Sequence, residues 1–221
     1  DEIALLGDAL RQALLAHQTA EAQLEQLAYF DRLTGLMNRA RFEERLRHAL
    51  LRAHRAGTQA ALLFIDLDRF KAVNDTLGHE AGDTLLCEVA QRIIERVRST
   101  DAVSRRSGDE FTVLVESCKD QKGAAQLAEE LIGLLSRPYR LDSGATVVIG
   151  ASVGIAFYPT DAQTGAALLQ CADAAMYAAK QRGSGVYCVY SPDLSQAIRD
   201  RLELEGRLSR AVSEGLLEIL F

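Results

Sequence analysis

Four acids stand out by where they sit. Asp66 closes a nearly continuous apolar run, residues 60–66 (AALLFID), and Asp68 follows two residues later. Asp109 and Glu110 fall together in Ser107-Gly108-Asp109-Glu110, between two strand-like stretches. A carboxylate at the carboxyl end of a central strand is well placed to hold a hard divalent cation. With the second pair folded beside that strand, two carboxylates can hold two cations, about 3.5–4 Å apart in two-metal sites. Such ions lower the pKa of an attacking hydroxyl and offset charge on a phosphoryl group in transfer. The plainer alternative is that Asp66 and Asp68 are solvated acids in a strand-to-helix loop, and Asp109-Glu110 an acidic turn that aids solubility.

Other candidates are weaker. Gly183-Ser184-Gly185 is too short and misplaced for a Walker A loop, and no G-x-x-x-x-G-K-[ST] occurs in the chain. His79, between Gly78 and Gly82 in an acidic neighbourhood, is a conceivable metal ligand. His48 and His54 lie on a polar helical stretch and read as solvated. Cys87, Cys118, Cys171 and Cys188 show no C-x-x-C spacing; buried free thiols in a reducing cytoplasm are the expectation.

The elements that must position these residues alternate. A helix begins near Asn38, with apolar Phe42, Leu46 and Leu50, and Gly57 ends it. The run over 60–66 reads as a buried central strand. Two helical stretches follow, split by Leu77-Gly78-His79. Residues 101–106 and 111–116 read as a hairpin around the acidic turn. Residues 122–135 form a helix stopped by Pro138, and strands follow near 139–141 and over 146–157. Residues 164–181 are a helix and 186–190 a last strand. The expected fold is α/β, a sheet flanked by helices.

Both ends carry extra patterns. Ile3, Leu6, Leu10, Ala13, His17, Ala20, Leu24 and Leu27 recur at alternating steps of three and four, a heptad seam over residues 1–30. A helix this long needs a partner, so a parallel dimer stalk below an upstream sensor is expected rather than a helix packed on its own domain. At the other end, Ser191-Pro192-Asp193 has the order of a helix start. Leu194, Ile198, Leu202, Leu208 and Val212 give that helix one apolar face, and residues 216–221 (LLEILF) are strand-like.

The 221 residues suit one ordinary domain plus flanking helices. The net charge of −6 argues against a nucleic-acid or anionic-membrane surface. No apolar run is long enough to span a membrane, and the N-terminus lacks a signal-peptide layout. The expected location is cytoplasmic, either free or as the cytoplasmic part of a membrane-anchored receptor.

Four blocks then converge on one family: residues 31–39 (DRLTGLMNR), 66–83 (DLDRFKAVNDTLGHEAGD), 105–111 (RRSGDEF) and 172–180 (ADAAMYAAK). In this order and spacing they resemble the GGDEF family of diguanylate cyclases, over about residues 31–190. The resemblance implies a mainly antiparallel sheet like the class III nucleotidyl cyclase palm (ferredoxin-like), preceded by a coiled-coil helix. It implies magnesium or manganese held by Asp66, Asp109 and the carbonyl of Leu67, with Glu110 on the metal or the substrate hydroxyl. The backbone amides of Arg69 and Phe70, with Lys71, approach the terminal phosphates of GTP, and Lys180 neutralises them. Asn74 and Asp83 read guanine; Leu33 and Leu86 wall its pocket. An aspartate accepts from guanine N1–H and the exocyclic amine, a donor pair that adenine lacks, so the wrong base leaves a buried carboxylate unpaired. His79 takes a structural hydrogen bond in the turn that orients this site. Arg98-Ser99-Thr100-Asp101 matches the family's R-x-x-D motif, in which Arg98 and Asp101 bind the product, cyclic di-GMP, as inhibitor; a helix-end salt bridge is the alternative. The implied activity is condensation of two GTP into cyclic di-GMP with release of pyrophosphate, by a homodimer.

Two positions depart from the pattern. Ser107 replaces the first glycine of the signature; a positive φ there would cost about 1–2 kcal/mol in strain. Ser184 stands where an arginine usually follows Lys180, with Arg182 as a shifted substitute. Residues 191–221 resemble the linker and first strand of an EAL phosphodiesterase domain. In such tandems the GGDEF part is either a cyclase or a GTP-binding regulator of its neighbour.

Overall fold

The computed structural model describes residues 27–194 apart from 119, 142 and 143, together with residues 11, 12, 15, 207, 210 and 212. The heptad seam before Leu27 and the strand expected over 216–221 lie outside the described residues. Ser191 begins as expected: Pro192, Asp193 and Leu194 are helical, and the Leu194 amide donates to the Ser191 carbonyl at 3.0 Å.

The elements run α1 (Arg39–Ala56), β1 (Gln59–Asp68), α2 (Phe70–Leu77), α3 (His79–Arg96), β2 (Ala102–Ser107), β3 (Glu110–Cys118), α4 (Gln121–Leu135), β4 (Tyr139–Arg140), β5 (Thr146–Val147), β6 (Gly150–Tyr158), α5 (Gly165–Arg182) and β7 (Tyr187–Val189). The starts and stops follow local chemistry. Asn38 caps α1 by accepting from the Arg41 amide, and Gly57 ends it in the left-handed region at φ 62°. Asp120 and Thr164 cap α4 and α5 in the same way as Asn38. Gly78, at φ 86°, separates α2 from α3.

Five strands form one sheet in the order β2-β3-β1-β6-β7, antiparallel throughout except for the parallel β6–β7 pair; β4 and β5 make a separate ladder. Helices cover both faces, which is why β1 is apolar without alternation. Ala61, Leu63, Ile65 and Leu67 join a cluster with Leu85, Val89 and Ile93 of α3 and Leu131 of α4. Ala60, Leu62 and Phe64 join another with Phe42 and Leu46 of α1 and Leu168 and Met176 of α5. By the period of two along a strand, Asp66 falls on the second of these faces, beneath α5.

The strand expected over 146–157 is two strands. β5 pairs with β4, whereas β6 starts only at Gly150, opposite Asp68. A Cβ at Gly150 would lie 2.6 Å from Asp68 Oδ2, so the strand meets the end of β1 where a side chain is missing. Gly154 plays a related part for α5. A Cβ there would sit 2.0 Å from the Ala172 carbonyl oxygen and 2.1 Å from the Met176 amide nitrogen. The alanine-rich face of α5 (Ala172, Ala175, Ala179) thus comes down onto β6 at backbone distance, and Lys180 is carried with it.

Candidate active site

Strand register brings the acids together. Asp66 pairs with Glu110 across β1 and β3, and the Leu67 amide donates to the Asp109 carbonyl at 3.3 Å. Asp66 is only 6 % exposed, and β1 runs on through Asp68, so neither is a solvated loop acid. Lys180 Nζ reaches Asp66 Oδ1 at 2.5 Å from α5. Burial nonetheless dominates the Asp66 carboxyl: it is pushed up to about 6, with Asp109 and Glu110 adding repulsion that one lysine does not cancel. Asp173, two turns before Lys180 on α5, is raised too, by burial and then by the nearby Glu110.

The second acid of β1 has another fate. Asp68 accepts from Ser152 Oγ at 2.7 Å on one oxygen and from the Gly185 amide at 3.0 Å on the other. It ties β1 to β6 and to the turn after α5, and is engaged where Asp66 is open.

The signature turn is held by a contact that sequence reasoning missed, from a β2 arginine that also reaches the loop before α1. Arg105 donates through Nε to the Gly108 carbonyl at 2.9 Å and through Nη1 to Asp31 at 3.1 Å. Burial raises the Asp31 carboxyl, but hydrogen bonds from the Thr34 hydroxyl and amide, with Arg105, outweigh it and hold the group below its ordinary value. Asp31 and Arg105 lie in two of the motif blocks, yet nothing in a separation of 74 residues shows that they touch. Gly108 takes φ 47°, as the first central residue of a two-residue hairpin loop must. Ser107 does not: among the described residues only Arg69 has a positive φ without being glycine. The strain that a positive φ at Ser107 would have brought does not arise.

Arg69 stands at φ 61° between β1 and α2, a conformation that costs about 1–2 kcal/mol. It occupies the N-cap of α2 with no side-chain capping bond, so the first amides of the helix, from Phe70 and Lys71, carry no such partner. Phe70 is buried and Lys71 exposed. One turn on, Asn74 has a buried side-chain oxygen without a hydrogen-bond partner. It lies against Gly82 of α3, where a Cβ would come within 1.9 Å of it. Asp83 is exposed beside Gly82, Leu86 is buried one turn further, and Leu33 packs on the same core. Cys87 Sγ donates to the Leu33 carbonyl at 3.3 Å, joining α3 to the 31–36 loop; the sequence carried no signal for it.

Some expectations need correction. His79 opens α3 exposed, and among the described residues its ring has no hydrogen-bond partner; a first-turn position on the surface offers it none. Cys87 and Cys171 are half-buried rather than buried, while Cys118 and Cys188 are buried; all four are free. Arg98 and Asp101 form no side-chain salt bridge. The Arg98 amide donates to Asp101 Oδ2 at 3.2 Å, leaving the exposed guanidinium aside. They border a cavity of about 500 Å³ with Ser117 and Lys122, at the far end of β2 from the acids. A larger groove of about 1000 Å³ lies between α1 and α5 and shares only Arg106 with the signature hairpin.

The donor set suits a hard divalent cation: carboxylates and carbonyls, with net negative charge around a buried oxygen that, among the described residues, Lys180 alone meets. Among the described residues no three His, Cys, Asp or Glu side chains converge to hold an ion by themselves. That fits magnesium, which takes one or two carboxylates and completes its shell with water and substrate phosphates.

Comparison with known proteins agrees with this geometry. Residues 28–185 match the family model "Diguanylate cyclase, GGDEF domain". The chain is 45 % identical over 204 residues to the bifunctional diguanylate cyclase/cyclic di-GMP phosphodiesterase MucR of Pseudomonas aeruginosa, covering 91 % of this chain and 30 % of that one. It is 47 % identical over 168 residues to the diguanylate cyclase TpbB of the same organism, covering 76 % and 39 %. The chain therefore spans well under half the length of these relatives. Among solved structures, the GGDEF domain of TpbB superposes with a TM-score of 0.76 at 44 % identity, over 77 % of this chain and 99 % of that one. The coiled coil and GGDEF domain of DgcB from Caulobacter crescentus, in complex with c-di-GMP, gives 0.74 at 29 % identity, over 84 % and 97 %. The palm-like sheet, the acids at its centre and the matched sequence together place this chain in the GGDEF family of diguanylate cyclases.

Proposed function

We propose that this domain condenses two GTP into cyclic di-GMP with release of pyrophosphate, working as a homodimer. The observation that carries the proposal is the strand register that sets Asp66 beside Glu110, with Asp109 at the turn and Lys180 overhead. Asp66, Asp109 and the Leu67 carbonyl would hold magnesium or manganese, which lowers the pKa of the attacking hydroxyl and offsets phosphoryl charge when bound. Lys180 and Lys71 supply positive charge for the triphosphate. The uncapped amides at the start of α2 face the same need, since a helix N-terminus favours anions. Asn74 and Asp83 read the guanine edge, and Leu33 and Leu86 wall the base. Asn74 retains an unspent acceptor for it. Each 3′-hydroxyl attacks the α-phosphorus of the partner's GTP in line, and the bond to pyrophosphate breaks. Glu110 stands where it can take that hydroxyl or share the cation. Arg98 and Asp101 form an inhibitory product site, since an arginine grips phosphate or guanine bidentately and an aspartate pairs with guanine.

A second reading is favoured by Ser184, which removes a phosphate contact: a GTP-binding regulator of an attached EAL phosphodiesterase. MucR, with both activities in its name, is a relative that joins a cyclase to a phosphodiesterase. Purified full-length chain incubated with GTP and magnesium, at rising protein concentration, separates the two. The cyclase gives cyclic di-GMP by mass spectrometry, with a rate steeper than linear in protein and absent in Asp109→Asn. Saturable GTP binding with no product at any concentration supports the regulator and removes the cyclase.

A further inference from the structure

We propose that Ser107 is a positioning residue: its hydroxyl fixes the Glu110 carboxylate for the cation site. This inference rests on the cyclase reading above. Ser107 and Glu110 are the cross-strand pair that flanks the two-residue turn Gly108-Asp109. Ser107 Oγ lies 2.8 Å from Glu110 Oε2. An ionised carboxylate only accepts, so the hydroxyl is the donor. Among the described residues no other side chain hydrogen-bonds this carboxylate. The neighbouring cation does not compete, because Arg106 pairs with Glu43 of α1 at 3.3 Å.

The bond has a consequence because of where Glu110 sits. It is the register partner of Asp66, whose buried carboxylate has, among the described residues, only Lys180 as a cation against it. Anchoring Oε2 leaves Oε1 as the free oxygen and removes rotamer freedom from a long side chain before any ligand arrives. A glycine at 107 makes no such bond. The serine also fits without backbone cost, since the left-handed conformation belongs to Gly108. Residues that hydrogen-bond a metal-ligating carboxylate change metal affinity by about 10–100-fold when removed. A neutral, partly exposed hydroxyl belongs at the low end of that range.

The test is Mn²⁺ binding to the full-length chain without nucleotide, read from the loss of the free-ion electron paramagnetic resonance signal, for wild type, Ser107→Ala, Ser107→Thr and Asp109→Asn. Ser107→Ala is expected to weaken Mn²⁺ on the order of 10-fold. Ser107→Thr, which keeps the hydroxyl, stays close to wild type, and thermal midpoints do not move. Unchanged affinity in Ser107→Ala overturns the proposal. So does equal weakening in Ala and Thr, which would make the effect one of turn packing. If Asp109→Asn binds Mn²⁺ as well as wild type does, the cyclase reading falls and this one with it; if wild type binds none without nucleotide, the serine proposal alone is overturned, because substrate phosphates complete the cation's shell. Loss in Asp109→Asn with no change in Ser107→Ala sinks only the serine.

Discussion

β3 carries a carboxylate near each end, and the two are treated in opposite ways. Glu116 is gripped by two arginines of α1, Arg45 at 2.6 Å and Arg52 at 2.5 Å. At the other end Glu110 stands beside Asp66, where one lysine faces Asp66 and Asp109 and Glu110 both repel it. One end is electrostatically closed, with two cations for one acid. The other is left short of positive charge, with a buried carboxyl raised to about 6. A shortage of that kind costs stability and is removed by a ligand that brings cations. The open end is the proposed site, and the closed end holds α1 to the sheet.

Asp66→Asn tests the open end most severely. Cyclic di-GMP formation should fall by about 10³-fold or more, since a ligand and its charge are lost together. The same variant should change the pH dependence of the metal-free fold. The folded Asp66 holds its proton to about pH 6, against an ordinary 3.8, so the folded state binds more protons across that window. Wild type therefore loses stability as pH rises from about 4 to about 6, and the penalty is complete above it. Denaturant midpoints in chelator at pH 4 and pH 7 should show this slope in wild type and a smaller one in Asp66→Asn. An equal slope in both would mean Asp66 is not strained by its surroundings.

Gly154→Ala probes the scaffold that carries Lys180. Its Cβ would meet backbone, the Ala172 carbonyl and the Met176 amide, which cannot swing aside as a side chain can. A loss of about 3 kcal/mol is expected in chemical denaturation. A near-neutral result would show that α5 does not need this close approach.

Gly82→Ala meets the Asn74 side chain, which can rotate, and the rim of the Phe70 ring at 3.2 Å, which must give by a few tenths of an ångström. Stability should fall by about 1 kcal/mol as the Phe70 ring yields, while KM for GTP rises by about 10-fold, the scale of one lost hydrogen bond to a base, with kcat less affected. A KM that does not move would take Asn74 out of base recognition.

The smallest effect belongs to the closed end. Glu116→Gln keeps the shape and removes the charge between two half-exposed arginines, so about 1 kcal/mol of stability is at stake after solvent screening. Cyclic di-GMP formation should stay at the wild-type level. A large loss of activity instead would mean that the two ends of β3 are coupled.

Much of the fold was legible before any coordinates. Continuous apolar residues marked β1, Gly57 and Gly78 marked helix boundaries, and Asp109 sat on the hairpin turn as expected, with Glu110 the first residue of β3 rather than part of the turn. The break between β5 and β6 was not legible, because Thr146 to Tyr158 is apolar on both sides of it. It is set by which partner strand each half meets, and a one-dimensional pattern does not record partners. His79 misled for a related reason: its neighbours in sequence are not its neighbours in space.

Residue types and spacing determined the α/β alternation and the acidic chemistry, and the resemblance of four motif blocks gave the family, since those depend on local periodicity and on motifs read along the chain. Which carboxylates stay open and which are spent was decided only in three dimensions. Asp66 and Asp68 are the same residue type two positions apart on one strand. Ser152 and Gly185, from distant segments, satisfy the second, while among the described residues Lys180 alone reaches the first. The same holds for Ser107, a departure in sequence whose φ and hydrogen bond exist only once the hairpin closes on β1. Charge balance and hydrogen-bond satisfaction are sums over spatial neighbours, and those neighbours come from packing.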